Sequence, residues 1–220
     1  MHVVIMNGSP RIKKYSNTDK IIEAFGKGLI KSGATYELYT LSDKKEWDAA
    51  REAFYKHTRI LIALPLYVEC IPGLLLEFLE TLHKKEEAGT EMAFILQSGF
   101  AEGCQLRCGE EFLKMLPEKL NCSYGGCLVK GDNFGIRIAD DKQLDQMLTP
   151  YEKMGELYGI NGTFDNEESR KFTGPERFSL PIRMMLAFVF KIFARKRFDA
   201  VAKDWGCIRP LDDRPYQQTL

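Results

Sequence analysis

Short continuous apolar runs alternate with amphipathic stretches of helical period along most of this chain. Val3-Val4-Ile5-Met6 predicts a strand over 2–6, and Ile21, Ile22, Phe25 and Leu29 form one stripe of a helix over 18–31, closed by Ser32-Gly33. Thr35 to Tyr39 alternates as a half-exposed strand does, and Trp47, Ala50 and Phe54 mark a helix face within 44–57. Arg59 to Leu64 is β-rich, apolar throughout and stopped by Pro65, the pattern of a strand buried on both faces. Pro72 opens a helix whose apolar side is Leu74, Leu75, Phe78, Leu79 and Leu82. Met92 to Leu96 is a further buried strand. Leu106, Phe112, Leu113 and Leu116 predict a helix over 104–116, and Tyr124 to Val129 a fifth strand. A helix over 141–158 carries Leu144, Met147, Leu148, Tyr151, Met154 and Tyr158 and ends at Gly159. Five strands separated by helices predict an α/β domain with a parallel sheet in the order 2-1-3-4-5.

The pattern changes after residue 160. Residues 161–180 are polar and punctuated by Gly and Pro, which reads as a linker. Pro181 to Arg197 then predicts a helix apolar all round from Met184 to Phe190 and basic at its far end. Such a helix buries against its own domain, against a second subunit, or against an anionic membrane surface; packing on protein is the favoured outcome and peripheral membrane contact the minority one. Asp212 to Leu220 is a polar tail. The expected organisation is therefore a domain over 1–160 and a C-terminal helical extension over 161–220.

Three loops fall at strand exits, where open α/β sheets bind ligands. The first is Asn7-Gly8-Ser9-Pro10-Arg11, continuing to Ser16-Asn17-Thr18 at the start of a helix. A helix N-terminus carries unpaired N–H groups and partial positive charge, so it suits a phosphate. Gly8 permits close backbone approach, and Ser9, Ser16, Asn17 and Thr18 supply side-chain donors, with a plain N-cap as the alternative role for Ser16 or Asn17. The loop is neither G-x-x-x-x-G-K-[ST] nor G-x-G-x-x-G, which leaves a terminal phosphate monoester as the suitable anion. The second loop, Pro65-Leu66-Tyr67-Val68, offers a flat aromatic face; the third, Ser98-Gly99-Phe100, offers an opposite wall.

Gly8-Ser9-Pro10-Arg11 with Ser16-Asn17-Thr18, followed by Pro-x-Tyr, Pro72 and a Leu-rich helix, resembles the flavodoxin-like NAD(P)H-dependent FMN reductases over roughly residues 1–160. Leu76 stands where that family often has a lysine. The resemblance implies a flavodoxin-like three-layer sandwich and an FMN site. In it Ser9, Arg11, Ser16, Asn17 and Thr18 hold the phosphate, Pro65, Leu66, Tyr67 and Val68 line the ring, and Ser98, Gly99 and Phe100 close the other side. Arg11 could equally meet the extra phosphate of NADPH. Hydride would come from NAD(P)H and electrons would pass to a small acceptor such as a quinone or nitro compound, in a homodimer. No protein nucleophile or base is required, so no catalytic residue is assigned. A flavodoxin-type electron carrier and a flavin-free interaction module are the rival readings.

Composition narrows the partners. The chain has 220 residues with 31 basic and 31 acidic side chains, so no global charge attracts nucleic acid. The N-terminus enters a strand without a basic leader, and no apolar run approaches the ~18 residues of a membrane span, which predicts a cytoplasmic protein. The six cysteines contain no C-x-x-C and read as buried free thiols; His2, His57 and His83 are scattered without ligand spacing, and no metal is expected.

Overall fold

The computed structural model describes residues 1–214; the last part of the polar tail, 215–220, lies outside the described residues. Strands β1 (His2–Asn7), β2 (Thr35–Thr40), β3 (Arg59–Pro65), β4 (Glu91–Gln97) and β5 (Ser123–Lys130) form one sheet in the order β2-β1-β3-β4-β5, every pair parallel. This is the flavodoxin-like order. Two helices, α1 (Asn17–Lys31) and α5 (Asp141–Asn161), supply the core on one face; α2 (Trp47–Lys56), α3 (Gly73–Leu79) and α4 (Arg107–Lys119) supply it on the other. The period of two along each strand divides the side chains: Val3, Ile5, Leu61 and Ala63 join the first core, and Val4, Met6, Ile60 and Ile62 the second. That is why the central strands read as unbroken apolar runs.

The first compact unit extends to Arg177, and residues 161–172 are not a linker. A register shift between Met92 and Phe94 opens the β4–β5 pairing, and Gly126 beside it adopts φ +92°. A Cβ there would stand 2.9 Å from the backbone of Phe164 and Asp165. Phe164 is thereby drawn into the core, its N–H donating to the Gly125 carbonyl at 2.9 Å. A short helix α6 (Glu167–Phe172) follows, with Asn166 Oδ1 accepting from Ser169 N at 2.8 Å. The polar composition concealed this because one aromatic side chain anchors the segment.

α5 also outruns its expected end. Gly159 lies inside the helix, and the stop is Gly162, at φ +74°. Gly28 of α1, with Gly155 and Gly159 of α5, lets two backbones approach closely: a Cβ on Gly155 would lie 2.0 Å from the Phe25 carbonyl oxygen, and one on Gly28 1.9 Å from that of Glu152.

The second unit comprises Phe178–Leu220. Its described part holds α7 (Leu180–Val189), a π-helical turn (Phe190–Ala194) and α8 (Arg195–Asp204), so the predicted single helix is longer and broken in the middle. Met184, Met185, Phe188 and Phe190 are exposed, and Arg195 pairs with Asp212 at 2.9 Å. No helix among the described residues is long and apolar enough to cross a membrane.

Because the α1–α5 contact has no room for a methyl group, Gly155→Ala is expected to destabilise the first unit by about 2 kcal/mol or more, read as a lowered urea midpoint at unchanged slope.

Candidate functional site

Asn7 ends β1 and is fully buried. Its Nδ2 donates to Asp19 Oδ2 at 2.8 Å, and its Oδ1 accepts from Ser9 N at 3.0 Å, so one amide fastens the loop to the first turn of α1. Ser16 is the N-cap of α1 and accepts from Asp19 N at 3.2 Å. Its hydroxyl also donates to Ser9 Oγ at 3.2 Å. Gln97, the last residue of β4, donates from Nε2 to Thr18 Oγ1 at 3.2 Å. Asn17 Nδ2 donates to the Asn133 carbonyl at 2.8 Å, and Lys20 Nζ to that of Ile136 at 3.1 Å, which secures the loop after β5 to α1. Asn133 is held from below by the buried Tyr151, whose hydroxyl donates to Asn133 Oδ1 at 3.0 Å. Burial pushes the Tyr151 hydroxyl far up from its ordinary value, so it stays a donor.

These bonds frame a cleft of about 180 Å³ at the carboxyl edge of the sheet, lined by Ser9, Arg11, Asn17, Thr18, Pro65, Leu66, Tyr67, Ser98 and Gly99 from the predicted set. Gln97, Phe134 and Arg137 complete the lining. One end presents hydroxyls, an amide and the N-terminus of α1 beside the Arg11 guanidinium. Asp19 does not spoil this for an anion, because its carboxylate is turned inward onto Asn7. The Arg11 guanidinium lies 5.8 Å from the centroid of the Tyr67 ring, linking the anion end to the aromatic end.

Ser16, Val68 and Phe100 were expected in the lining and are not part of it. Ser16 is wholly buried as the cap beneath Ser9. Val68 and Glu69 occupy left-handed backbone, φ 47° and 67°, in a turn closed by two bonds of 3.0 Å between Tyr67 and Cys70. That turn leaves Val68 75% exposed. Phe100 is also exposed; its N–H donates to Ser98 Oγ at 3.0 Å. Its expected place as second wall is taken by Phe134, since a Cβ on Gly99 would meet Phe134 Cβ at 3.4 Å. The missed residues had a legible signal: the loop after β5 is another strand exit, subject to the same rule as the other three. Gly8 also serves differently. A Cβ there would lie 2.8 Å from the Leu75 side chain, so it admits α3 against the loop.

All six cysteines are free thiols, but Cys70, Cys108 and Cys207 are exposed, contrary to the expected burial, whereas the Cys127 thiol is buried and its pKa pushed well up by burial. The histidines are not all scattered either, because the fold brings His2 and His57 together beside Glu37.

The order of the strands defines a flavodoxin-like protein, and its switch edge carries a cleft between the N-terminus of α1 and aromatic walls. The chain belongs to the NADPH-dependent FMN reductase family, whose model matches residues 1–117, more than half its length and all of the first three loops. No curated protein matches it. Among solved structures it is similar to an FMN-dependent NADH-azoreductase from Bacillus anthracis in complex with FMN, at 15% identity and TM-score 0.53, covering 73% of this chain and 98% of that one. It is also similar to an apo NADH:FMN oxidoreductase, at 18% identity and TM-score 0.54, covering 77% of this chain and 93% of that one. A third is the NAD(P)H:quinone oxidoreductase from Methanothermobacter marburgensis, at 17% identity and TM-score 0.51, covering 71% and 96%. At these identities the likeness establishes the fold.

Ser16→Ala removes the cap of α1 and the donor to Ser9 together. The expected loss is about 1 kcal/mol in denaturant-measured stability, with weaker binding of any phosphate ligand in equilibrium titration.

Proposed function

We propose that this protein binds FMN in the cleft and catalyses its reduction by NAD(P)H, passing electrons to a small acceptor such as a quinone or nitro compound. The observation that carries this reading is the pairing of phosphate-suited donors at one end of the cleft with the Tyr67 and Phe134 rings at the other. The donor set fits the cofactor: Ser9 and Thr18 hydroxyls, the Asn17 amide, the Arg11 guanidinium and first-turn N–H groups suit a phosphate dianion. Tyr67 and Phe134 suit a planar ring, and Phe134, 65% exposed, would gain cover from one.

Bound FMN supplies hydride acceptance and onward electron transfer. The residues of the chain bind and orient. Ser9, Asn17 and Thr18 fix the phosphate, and Arg11 balances its charge. Pro65 and Leu66 give the ring an apolar floor that excludes water. The cleft is smaller than the ~300 Å³ at which ligand pockets begin, which favours a ring exposed on one face to donor and acceptor in turn. No side chain is assigned a proton transfer. The same reading takes the protein as a cytoplasmic homodimer, checked by sedimentation of the FMN-loaded form.

The purified protein is expected to carry about one FMN per chain and to be bleached by NADPH or NADH without oxygen. Failure to take up FMN overturns the proposal. Uptake without reduction by either nucleotide points to the electron-carrier reading. Within the site, Phe134→Ala is expected to weaken FMN binding five- to tenfold, about 1 kcal/mol for one aromatic contact, whereas Phe100→Ala stays within twofold; flavin fluorescence titration compares them.

A further inference from the structure

At the opposite edge of the sheet, where the strands begin, three side chains far apart in sequence converge. His2 opens β1, Glu37 lies within β2, and His57 terminates α2. His57 Nε2 lies 3.3 Å and His2 Nε2 3.6 Å from Glu37 Oε1. One candidate donor atom from each residue falls within 4.8 Å of the others. A tetrahedral zinc site with bonds of ~2.0–2.1 Å holds its ligand atoms about 3.3 Å apart, so two of the separations already approach those of a ligand set. The ring centroids of His2 and His57 are 4.8 Å apart and the rings are tilted by 43°.

A second observation is independent of the clustering. Glu37 Oε1 is buried and has no hydrogen-bond partner, although two imidazoles stand beside it. A carboxylate oxygen withdrawn from water that faces two imidazole nitrogens at 3.3 and 3.6 Å without a hydrogen bond to either is costly, and a cation shared among the three would satisfy it. The other atoms around the cluster are already engaged in ways that orient the ligands. His2 Nδ1 meets Thr35 Oγ1 at 2.9 Å; with the proton assigned to Nδ1, Nε2 keeps its lone pair for a metal. The Tyr39 hydroxyl donates to the second carboxylate oxygen, Glu37 Oε2, at 3.1 Å. Lys85 Nζ donates to the carbonyls of Phe54 and His57 at 2.7 and 2.6 Å and so fixes the end of α2.

We propose that His2, Glu37 and His57 form a binding site for a divalent transition-metal cation of the zinc class, which clamps β1, β2 and the end of α2 together. Two imidazoles and one carboxylate match this class better than magnesium or calcium, which prefer an all-oxygen shell. Three protein ligands leave one tetrahedral position for water. The sequence conceals the set because its spacing follows strand pairing and not a local motif.

The test uses the full chain, treated with EDTA and then freed of it, and titrated with Co²⁺ alone by absorbance and with Zn²⁺ alone by calorimetry. The expected result is one equivalent bound, a cobalt spectrum without a thiolate charge-transfer band, and a melting temperature that rises with metal concentration. Tyr39→Phe is expected to lower zinc affinity ~10-fold or more, as loss of an orienting partner does. Glu37→Gln and His57→Gln should each lower it further. His57 is partly buried at the end of α2 and Glu37 lies within a strand, so the two variants perturb different elements and one remains informative if the other misfolds; circular dichroism without metal decides which variants count. No binding, a thiolate band that places the metal on cysteine, or unchanged affinity in a folded Glu37→Gln or His57→Gln variant would overturn the proposal.

Discussion

The amide side chain of Asn7 is the joint on which the cleft depends. It is entirely buried at the end of β1, and both of its ends are used, one on Asp19 and one on the Ser9 N–H. A buried amide left half-satisfied costs on the order of 1–3 kcal/mol; satisfied, it ties strand, loop and helix into one unit. From that joint the bonds run outward through Ser16 to Ser9, through Thr18 to Gln97 of β4, and through Asn17 to Asn133, which Tyr151 supports from α5. Three strand exits and two helices are thereby held in one arrangement. On the proposed reading, the donors lining the cleft would need little reordering to receive an anion, which is where preorganised sites gain affinity.

Most of the fold was legible because its signals are local. A strand buried on both faces shows as an apolar run, an amphipathic helix shows as a stripe, and alternation of the two implies a parallel sheet. The order of strands and the first three loops followed from those patterns and from the resemblance they supported. What escaped depended on contacts between distant residues. Gly159 has the local appearance of a helix stop, and only its closeness to Ser32, where a Cβ would fall 1.9 Å from Oγ, reveals a packing glycine. Phe164 sits in polar sequence, and its anchoring role depends on a register shift in β5. Val68 was assigned to the ring wall by its neighbours in sequence, but a left-handed turn rotates it out. Phe134 was passed over because the loop containing it carries no motif.

The two edges of the sheet differ for reasons rooted in one period. Along β1, His2, Val4 and Met6 share a face, and parallel register sets Val4 beside Glu37. Tyr39, two residues further along β2, therefore falls on the same side as Glu37 and reaches its carboxylate. At the near edge this face gathers two imidazoles and a carboxylate; at the far edge the chain leaves the sheet through Asn7 into the loop that leads to α1. The strand between them spans roughly 17 Å at ~3.3 Å per residue, and Val3 to Met6 are without solvent exposure. A charge at one edge is thus separated from the other by packed apolar side chains. A cation held at His2, Glu37 and His57 would act on the cleft chiefly by holding β1 in place beneath Asn7, because neither site shares a ligand or a hydrogen bond with the other.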